Sequence, residues 1–202
     1  MSATENWLST DEADDTAGSV RHGLLCWDNV PGDVQAWKWM ALAIHSALQG
    51  GSVCHLVTTM APVGAVYQKN AAEFLQYIED SRTDPDVRPP KARLMALPDL
   101  LKAIRKPHSA GDRSNQEGIS LSDAELAWLC NFHTGVRNQF VHFEPMGWSL
   151  EVSGIPAIAA LVARILNDIA DAGWAFRYKD RAWLNAFKAD LERLGSIANQ
   201  LR

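Results

Sequence analysis

Residues 122–145, SDAELAWLCNFHTGVRNQFVHFEP, carry the clearest helix signal in the chain. Ser122 followed by Glu125 matches the capping box S-x-x-E, in which each side chain accepts a backbone hydrogen bond at a helix start. Residues with three- and four-residue spacing share one stripe: Leu126, Leu129, Cys130, His133, Val136, Arg137 and Phe140. Pro145 cannot continue a helix. The stretch therefore predicts an amphipathic helix that begins after Ser122 and ends near His142.

Other helices are predicted on both sides of this one. Their boundaries follow from turn residues and from apolar side chains at helical spacing. They cover residues 34–48, closed by Gly50–Gly51; about 65–81; 97–106; 156–172; and 180 to about 200. Residues 148–152 alternate with period two but are too few for more than a short extended segment. We predict an all-α bundle with a short irregular or extended segment after the motif helix.

The first 20 residues are predicted to be a mobile acidic arm, because they show no helical or strand period. Residues 21–202 are predicted to form a single domain, the size expected for one helical core. The net charge is −5, yet five of the 24 acidic residues lie in the first 15 positions, which hold no Lys or Arg. The remainder is balanced, with 24 − 5 = 19 acidic against 19 basic residues. We therefore expect any contact with phosphate to be local.

Targeting, redox and cofactor signals are weak throughout the chain. There is no apolar run long enough for a membrane span and no signal-peptide pattern at the start. The three cysteines are scattered, which favours a reducing compartment over a disulfide framework. None of the common phosphate-loop, dinucleotide, zinc-protease or serine-hydrolase motifs is present. We expect a cytoplasmic protein without membrane contact, cofactor or metal.

A polar constellation lies near the end of the motif helix. Arg137, Asn138 and His142 make up the sequence RNQFVH. Arginine binds two phosphate oxygens at once and histidine exchanges protons near neutral pH, so the set suits phosphate chemistry. The purely structural alternative is that Arg137 caps carbonyls or pairs with an acid while His142 binds a carbonyl before Pro145.

This pattern resembles the R-x4-6-H motif of the HEPN superfamily, whose members are helical domains in which a polar residue commonly follows the arginine. The resemblance implies metal-independent RNA cleavage by a homodimer, with the motif helices of two copies, here residues 122–142, forming one cleft. Arg137 is then the phosphate clamp, His142 the acid and base, and Asn138 the residue that orients them. The resemblance also implies a toxin or defence role and a neutralising antitoxin or regulatory partner.

One departure from the family concerns control by a partner. HEPN toxins that are silenced by a nucleotidyltransferase often continue as R-x4-H-x-Y, whereas Phe143 and Glu144 follow His142 here. That mode of control is therefore in doubt for this chain.

Helix geometry supports the need for a second copy. Five residues of α-helix separate Arg137 from His142 by about 140° of rotation and about 7.5 Å of rise. The two groups of one chain would not point at a common atom. A second protomer would supply the missing group.

Several alternatives remain open at this point. The chain could be a noncatalytic HEPN-like module that binds a nucleotide, RNA or protein, or an unrelated helical bundle. A weaker candidate for substrate binding is the set Lys102, Arg105 and Lys106. Basic residues in the last turn of a helix also interact favourably with the helix dipole, which explains them without a ligand. Cys130 and His133 could bind a metal together, although simple burial also explains Cys130. His45 and His55 are expected to be core histidines.

Overall fold

The structure is a computed structural model that describes residues 7–142, 147 and 149–200. Every regular element in that part of the chain is helical, which confirms the all-α prediction. The α-helices are α1 (Glu12–Asn29), α2 (Ala36–Leu56), α3 (Gln68–Asp80), α4 (Leu97–Ile104), α5 (Asp123–Asn131), α6 (Asn138–Val141), α7 (Ile155–Asp171) and α8 (Arg181–Ser196). A π-helical segment, Phe132–Arg137, joins α5 to α6, and a 3-10 turn, Ile197–Asn199, follows α8.

Helix α2 lies at the centre of the bundle. It packs against α1, α4, α7 and the π-helical segment, while α7 also packs against α8. Met40, Ile44 and Leu48 of α2 are fully buried. Each such side chain contributes about 1.5–3 kcal/mol through removal of its apolar surface from water. No helix in the described ranges is long and apolar enough to cross a lipid bilayer.

Helix α1 begins inside the predicted acidic arm, so that prediction is wrong for residues 12–20. Asp11 caps the helix by accepting a hydrogen bond from the Asp14 backbone N–H at 2.8 Å. Ala13, Ala17 and Val20 are buried, and α1 packs along α2. This apolar stripe is made of small residues among acids and is therefore weak in sequence. Residues 7–11 form no helix, and residues 1–6 lie outside the described part.

Helix α2 continues past Gly50–Gly51 to Leu56, so the predicted end of this helix is wrong. A Cβ atom at Gly50 would collide with the side chain of Thr16, and one at Gly51 with that of Leu166. The two glycines therefore let α1 and α7 approach α2 closely. Here glycine serves packing within a helix rather than its termination.

The other predicted boundaries agree with the structure to within a few residues. The capping box is confirmed: Ser122 accepts a hydrogen bond from Glu125 N–H, and the Glu125 carboxylate accepts one from Ser122 N–H at 2.8 Å. Asp180 caps α8 by accepting a hydrogen bond from Trp183 N–H at 2.7 Å. At these two helices a side-chain cap marks the start that the sequence predicts.

The chain after α6 was predicted to be irregular or extended. Residues 149–152 form neither helix nor strand, which agrees with an irregular segment, and the side chains of Leu150 and Val152 pack against the core. Trp148 and residues 143–146, including Pro145, lie outside the described residues.

The polar loop 107–118 is tied to α2. His55 Nε2 lies 3.0 Å from Ser109 Oγ, and Gly111 N–H donates to the His55 carbonyl at 2.9 Å. Asn115 accepts from Ala110 N–H at 2.8 Å. These bonds hold the loop beside the end of α2, and His55 is fully buried as predicted.

Candidate functional site

The motif helix is not a continuous α-helix, which corrects the prediction for residues 132–137. Asn138 N–H donates to the carbonyl of His133, five residues earlier, as in a π-helix. Phe132, at the start of this segment, is 1% exposed and anchors it in the core. Single π-helical turns often lie at functional sites, because they change the direction of the side chains that follow.

Arg137 is the last residue of the π-helical segment, and its side chain is half-buried. Its Nη1 donates to Asn138 Oδ1 at 2.9 Å. It lines a cavity of about 640 Å³ between α1, α2 and the motif segment. Among the residues that the structure describes, no carboxylate forms an ion pair with Arg137. Its remaining guanidinium donors are therefore available to a ligand.

His142 lies apart from this cavity. It follows α6 with extended backbone, and its N–H donates to the Asn138 carbonyl at 2.8 Å. Its side chain is exposed, makes no hydrogen bond within the described part of the chain, and is not among the residues that line the cavity. The structure thus brings Arg137 and Asn138 together and leaves His142 separate, at the exposed end of the motif.

Two histidines near Arg137, His45 and His133, contact each other through their rings. His45 Nε2 of α2 lies 2.8 Å from His133 Nδ1 of the π-helical segment. Burial, together with the charges of His133 and Arg137, lowers the pKa of His45 to about 3. Burial and Arg137 also lower the pKa of His133. Both rings are therefore neutral at pH 7, so that one donates and the other accepts.

His45 is only 4% exposed, which confirms the prediction that it is buried in the core. His45 also lines the cavity with Arg137 and pairs with His133, and neither contact was predicted from the sequence. These residues are 88 positions apart, and no local spacing relates them.

Three acidic residues at the start of α1 line the same cavity: the cap Asp11, and Glu12 and Asp15 of the first turn. Asp11 is engaged, because Lys179 Nζ donates to it at 2.8 Å and lowers its pKa. The side chains of Glu12 and Asp15 are exposed, and neither carboxylate makes a hydrogen bond or ion pair within the described residues. The sequence predicted that they lie in a mobile acidic arm. The signal for their helix was Asp11 as a cap followed by acids in the first turn.

The rest of the cavity wall is largely apolar. Leu42 and Val53 of α2, Leu94 and Val141 contribute aliphatic surface. Ser46 and Gln49 add neutral polar groups. A cavity of this size, with apolar walls and a few charged groups, is of the kind that holds small-molecule ligands.

A second cavity, of about 600 Å³, adjoins the first. The two share Asp11, Glu12, Val53 and Leu94 among their lining residues. Arg177 and Lys179 line the second one. The Arg177 guanidinium carbon lies 3.6 Å from the ring centroid of Trp174 and 4.4 Å from that of Tyr178. Basic groups therefore lie in both cavities, with the acidic turn of α1 between them.

The predicted basic cluster on α4 lies outside these cavities. Lys102 pairs with Asp99 at 3.2 Å, and Arg105 pairs with Asp123 at 2.7 Å. Lys106 is exposed. The first two are thus engaged in ion pairs within the chain, although exposed pairs of this kind contribute only about 0–1 kcal/mol and open readily.

Metal binding at Cys130 and His133 finds no support from the arrangement of side chains. His133 Nδ1 is occupied by His45. In the ranges 7–142 and 149–200, no three His, Cys, Asp or Glu side chains are grouped as metal ligands would be.

Comparison with known proteins adds no assignment: no family of known sequences, no curated protein and no solved structure matches this chain.

Proposed function

We propose that this protein is a metal-independent endoribonuclease of HEPN type that acts as a homodimer. The observation that supports this most directly is the state of Arg137. Its guanidinium is held by Asn138 at 2.9 Å, lines an open cavity and has no carboxylate partner in the described part of the chain. A positioned guanidinium of this kind stabilises the charge that develops on phosphate oxygens during cleavage.

His142 supplies the proton transfers in this proposal. A neutral imidazole takes the proton from the ribose 2′-hydroxyl as the 2′-oxygen bonds to phosphorus. The bond from phosphorus to the 5′-oxygen breaks, and a protonated imidazole donates a proton to that oxygen. The products are a 2′,3′-cyclic phosphate and a free 5′-hydroxyl. The imidazole that takes the first proton then passes it to the leaving oxygen, so one copy of His142 in the cleft fills both roles without an added co-reactant.

The exposed face of the motif helix is the proposed dimer surface. It carries Trp128, Asn131, Gly135, Gln139 and His142, all exposed. A Cβ at Gly135 would meet nothing within 4 Å, so packing within one chain does not require glycine there. Close approach of a second helix at Gly135 would explain why this position is glycine. The same approach would bring His142 of the second copy toward Arg137 of the first.

The biological setting follows the family resemblance. A nuclease of this kind acts as a toxin or defence effector in the cytoplasm, with an antitoxin or regulatory protein that covers the cleft. The exposed position of His142 supports such control, since a partner reaches it without any change in the core.

A noncatalytic nucleotide- or RNA-binding module is the second candidate. It is favoured by the separation of His142 from the cavity that Arg137 lines. This alternative predicts RNA or nucleotide binding that depends on Arg137, with no cleavage product at high protein concentration.

Cleavage of single-stranded RNA in EDTA distinguishes the two candidates. We expect cleavage by the parent protein and a loss of about 10²-fold or more in His142→Ala, the range for removal of an acid–base group. Arg137→Ala should lose a similar factor. His22→Ala and Arg88→Ala are matched controls, because both side chains are exposed and distant in sequence from the motif. Equal rates for the parent and both motif variants would contradict the proposal.

A further inference from the structure

The cavity beside Arg137 has groups of opposite charge on its walls. Arg137 carries the positive charge, and Glu12 and Asp15 of α1 carry negative charges that nothing in the described residues neutralises by an ion pair. A phosphate alone is attracted by the first and repelled by the others. The occupant that fits both is a molecule with an anionic group at one end and hydrogen-bond donors at the other.

We infer that this cavity binds a single ribonucleotide unit whose base presents N–H donors, guanine best, with its phosphate at Arg137 and its base edge at Glu12 and Asp15. The inference rests on the proposed function for its ligand class, RNA, and names which base the site prefers.

The preference for guanine follows from hydrogen-bond chemistry. Ionised carboxylates only accept hydrogen bonds. Guanine offers a ring N–H and an amino group side by side on one edge, which matches the two oxygens of a carboxylate. Cytosine and adenine each offer an exocyclic amino group, whereas the corresponding substituents of uracil are carbonyl oxygens. Uracil offers only its ring N3–H, between two carbonyl oxygens, so a carboxylate gains one hydrogen bond there instead of the two that guanine gives, and it faces two acceptors.

The remaining walls suit the other parts of a nucleotide. Leu42, Val53, Leu94 and Val141 offer aliphatic surface to the face of a base. The volume, about 640 Å³, lies within the usual range for small-molecule sites.

His45 provides a further polar atom in the same cavity. The residue is 4% exposed and lines the cavity, and its Nε2 is occupied by His133. Its Nδ1 has no hydrogen-bond partner within the described residues, yet it is not among the polar atoms sealed from solvent. Depending on the tautomer, Nδ1 donates or accepts. A ribose hydroxyl does both and so fits either tautomer.

Binding of nucleoside monophosphates to the full chain tests this inference, measured by titration calorimetry with GMP, CMP, AMP and UMP. We expect GMP to bind at least about tenfold more tightly than UMP, the effect of about one hydrogen bond to a charged group, with CMP and AMP between them. The double variant Glu12→Gln with Asp15→Asn should reduce the ratio of GMP to UMP affinity to near one. The control double variant Glu117→Gln with Asp86→Asn removes two exposed carboxylates elsewhere and should leave the ratio unchanged.

Two outcomes would overturn the inference: equal affinity for GMP and UMP in the parent protein, or an equal gain in affinity for all four nucleotides when the two acids are neutralised. The second result would show that the acids only repel phosphate. Arg137→Ala should weaken all four nucleotides by a similar factor and leave their order unchanged.

The binding test is independent of catalysis, because monophosphates hold no bond that the proposed nuclease cleaves. A preference for GMP without RNA cleavage would contradict the nuclease proposal alone. Cleavage of RNA without any base preference would contradict this inference alone.

Discussion

His45 Nε2 lies 2.8 Å from His133 Nδ1 and joins the central helix to the segment that carries Arg137. The two rings lie nearly parallel, with centroids 5.1 Å apart. His133 is four residues before Arg137 in the π-helical segment. This hydrogen bond joins α2 to the π-helical segment. His45 therefore helps to fix the orientation of the segment that carries Arg137.

His133→Ala should destabilise the protein. It removes the partner of His45 Nε2 in a buried setting, and an unsatisfied buried polar group costs about 1–3 kcal/mol. The free energy of unfolding, measured by urea denaturation at pH 7, checks this. His22→Ala is the control, since His22 is exposed and its loss should change the value by less than about 0.5 kcal/mol. Equal stability of His133→Ala and the parent would show that the histidine contact contributes nothing.

Stability should fall as the solution is acidified below pH 6.5. Burial lowers the pKa of His45 to about 3 and that of His55 to about 4, from an ordinary pKa of 6.5. Between these values the unfolded chain binds protons that the folded protein does not, so acid favours unfolding. Each histidine contributes a slope of about 1.4 kcal/mol per pH unit in that window.

The matched variant for this effect is His45→Gln, which keeps a polar side chain but cannot titrate. Its unfolding free energy, measured by urea denaturation from pH 7 to pH 4.5, should fall less steeply than that of the parent, by about 1.4 kcal/mol per pH unit. Identical slopes for both proteins would contradict the assignment of a neutral, buried His45.

Substitutions at Gly135 should affect stability and dimerisation differently. Because a Cβ at Gly135 meets nothing within 4 Å, Gly135→Ala should stabilise the isolated chain by up to about 1 kcal/mol. The larger Gly135→Leu should fold but weaken self-association, since its side chain occupies the space where a second helix approaches. Urea denaturation and analytical ultracentrifugation measure the two effects. Unchanged association of Gly135→Leu would place the dimer surface elsewhere.

Side-chain caps and strong apolar periodicity made much of the fold predictable. The starts of α5 and α8 were predictable from Ser122 with Glu125 and from Asp180, because a cap and the first turn that it bonds are close in sequence. Helix α1 escaped detection because Ala13, Ala17 and Val20 form a stripe too small to stand out among acids. Gly50–Gly51 does not end α2, because these glycines make room for Thr16 and Leu166, which come from distant parts of the chain and leave no local signal.

The candidate site was predictable only in its motif. Arg137, Asn138 and His142 are close in sequence, and their spacing is visible without a structure. The cavity is not, since it needs α1, α2 and the π-helical segment together. The π-helical turn at residues 132–137 has no capping residue of its own, and the His45 contact with His133 is tertiary.

The most direct test of the composite site is to mix Arg137→Ala with His142→Ala and measure RNA cleavage in EDTA. Each variant alone should cleave about 10²-fold or more slowly than the parent, because its homodimer lacks every copy of one required group. In the mixed dimer one chain retains Arg137 and the other retains His142, so a cleft built from two chains should regain activity above either variant alone. If the mixture, shown to contain mixed dimers, cleaves no faster than its separate components, Arg137 and His142 do not act across two subunits and the account is contradicted.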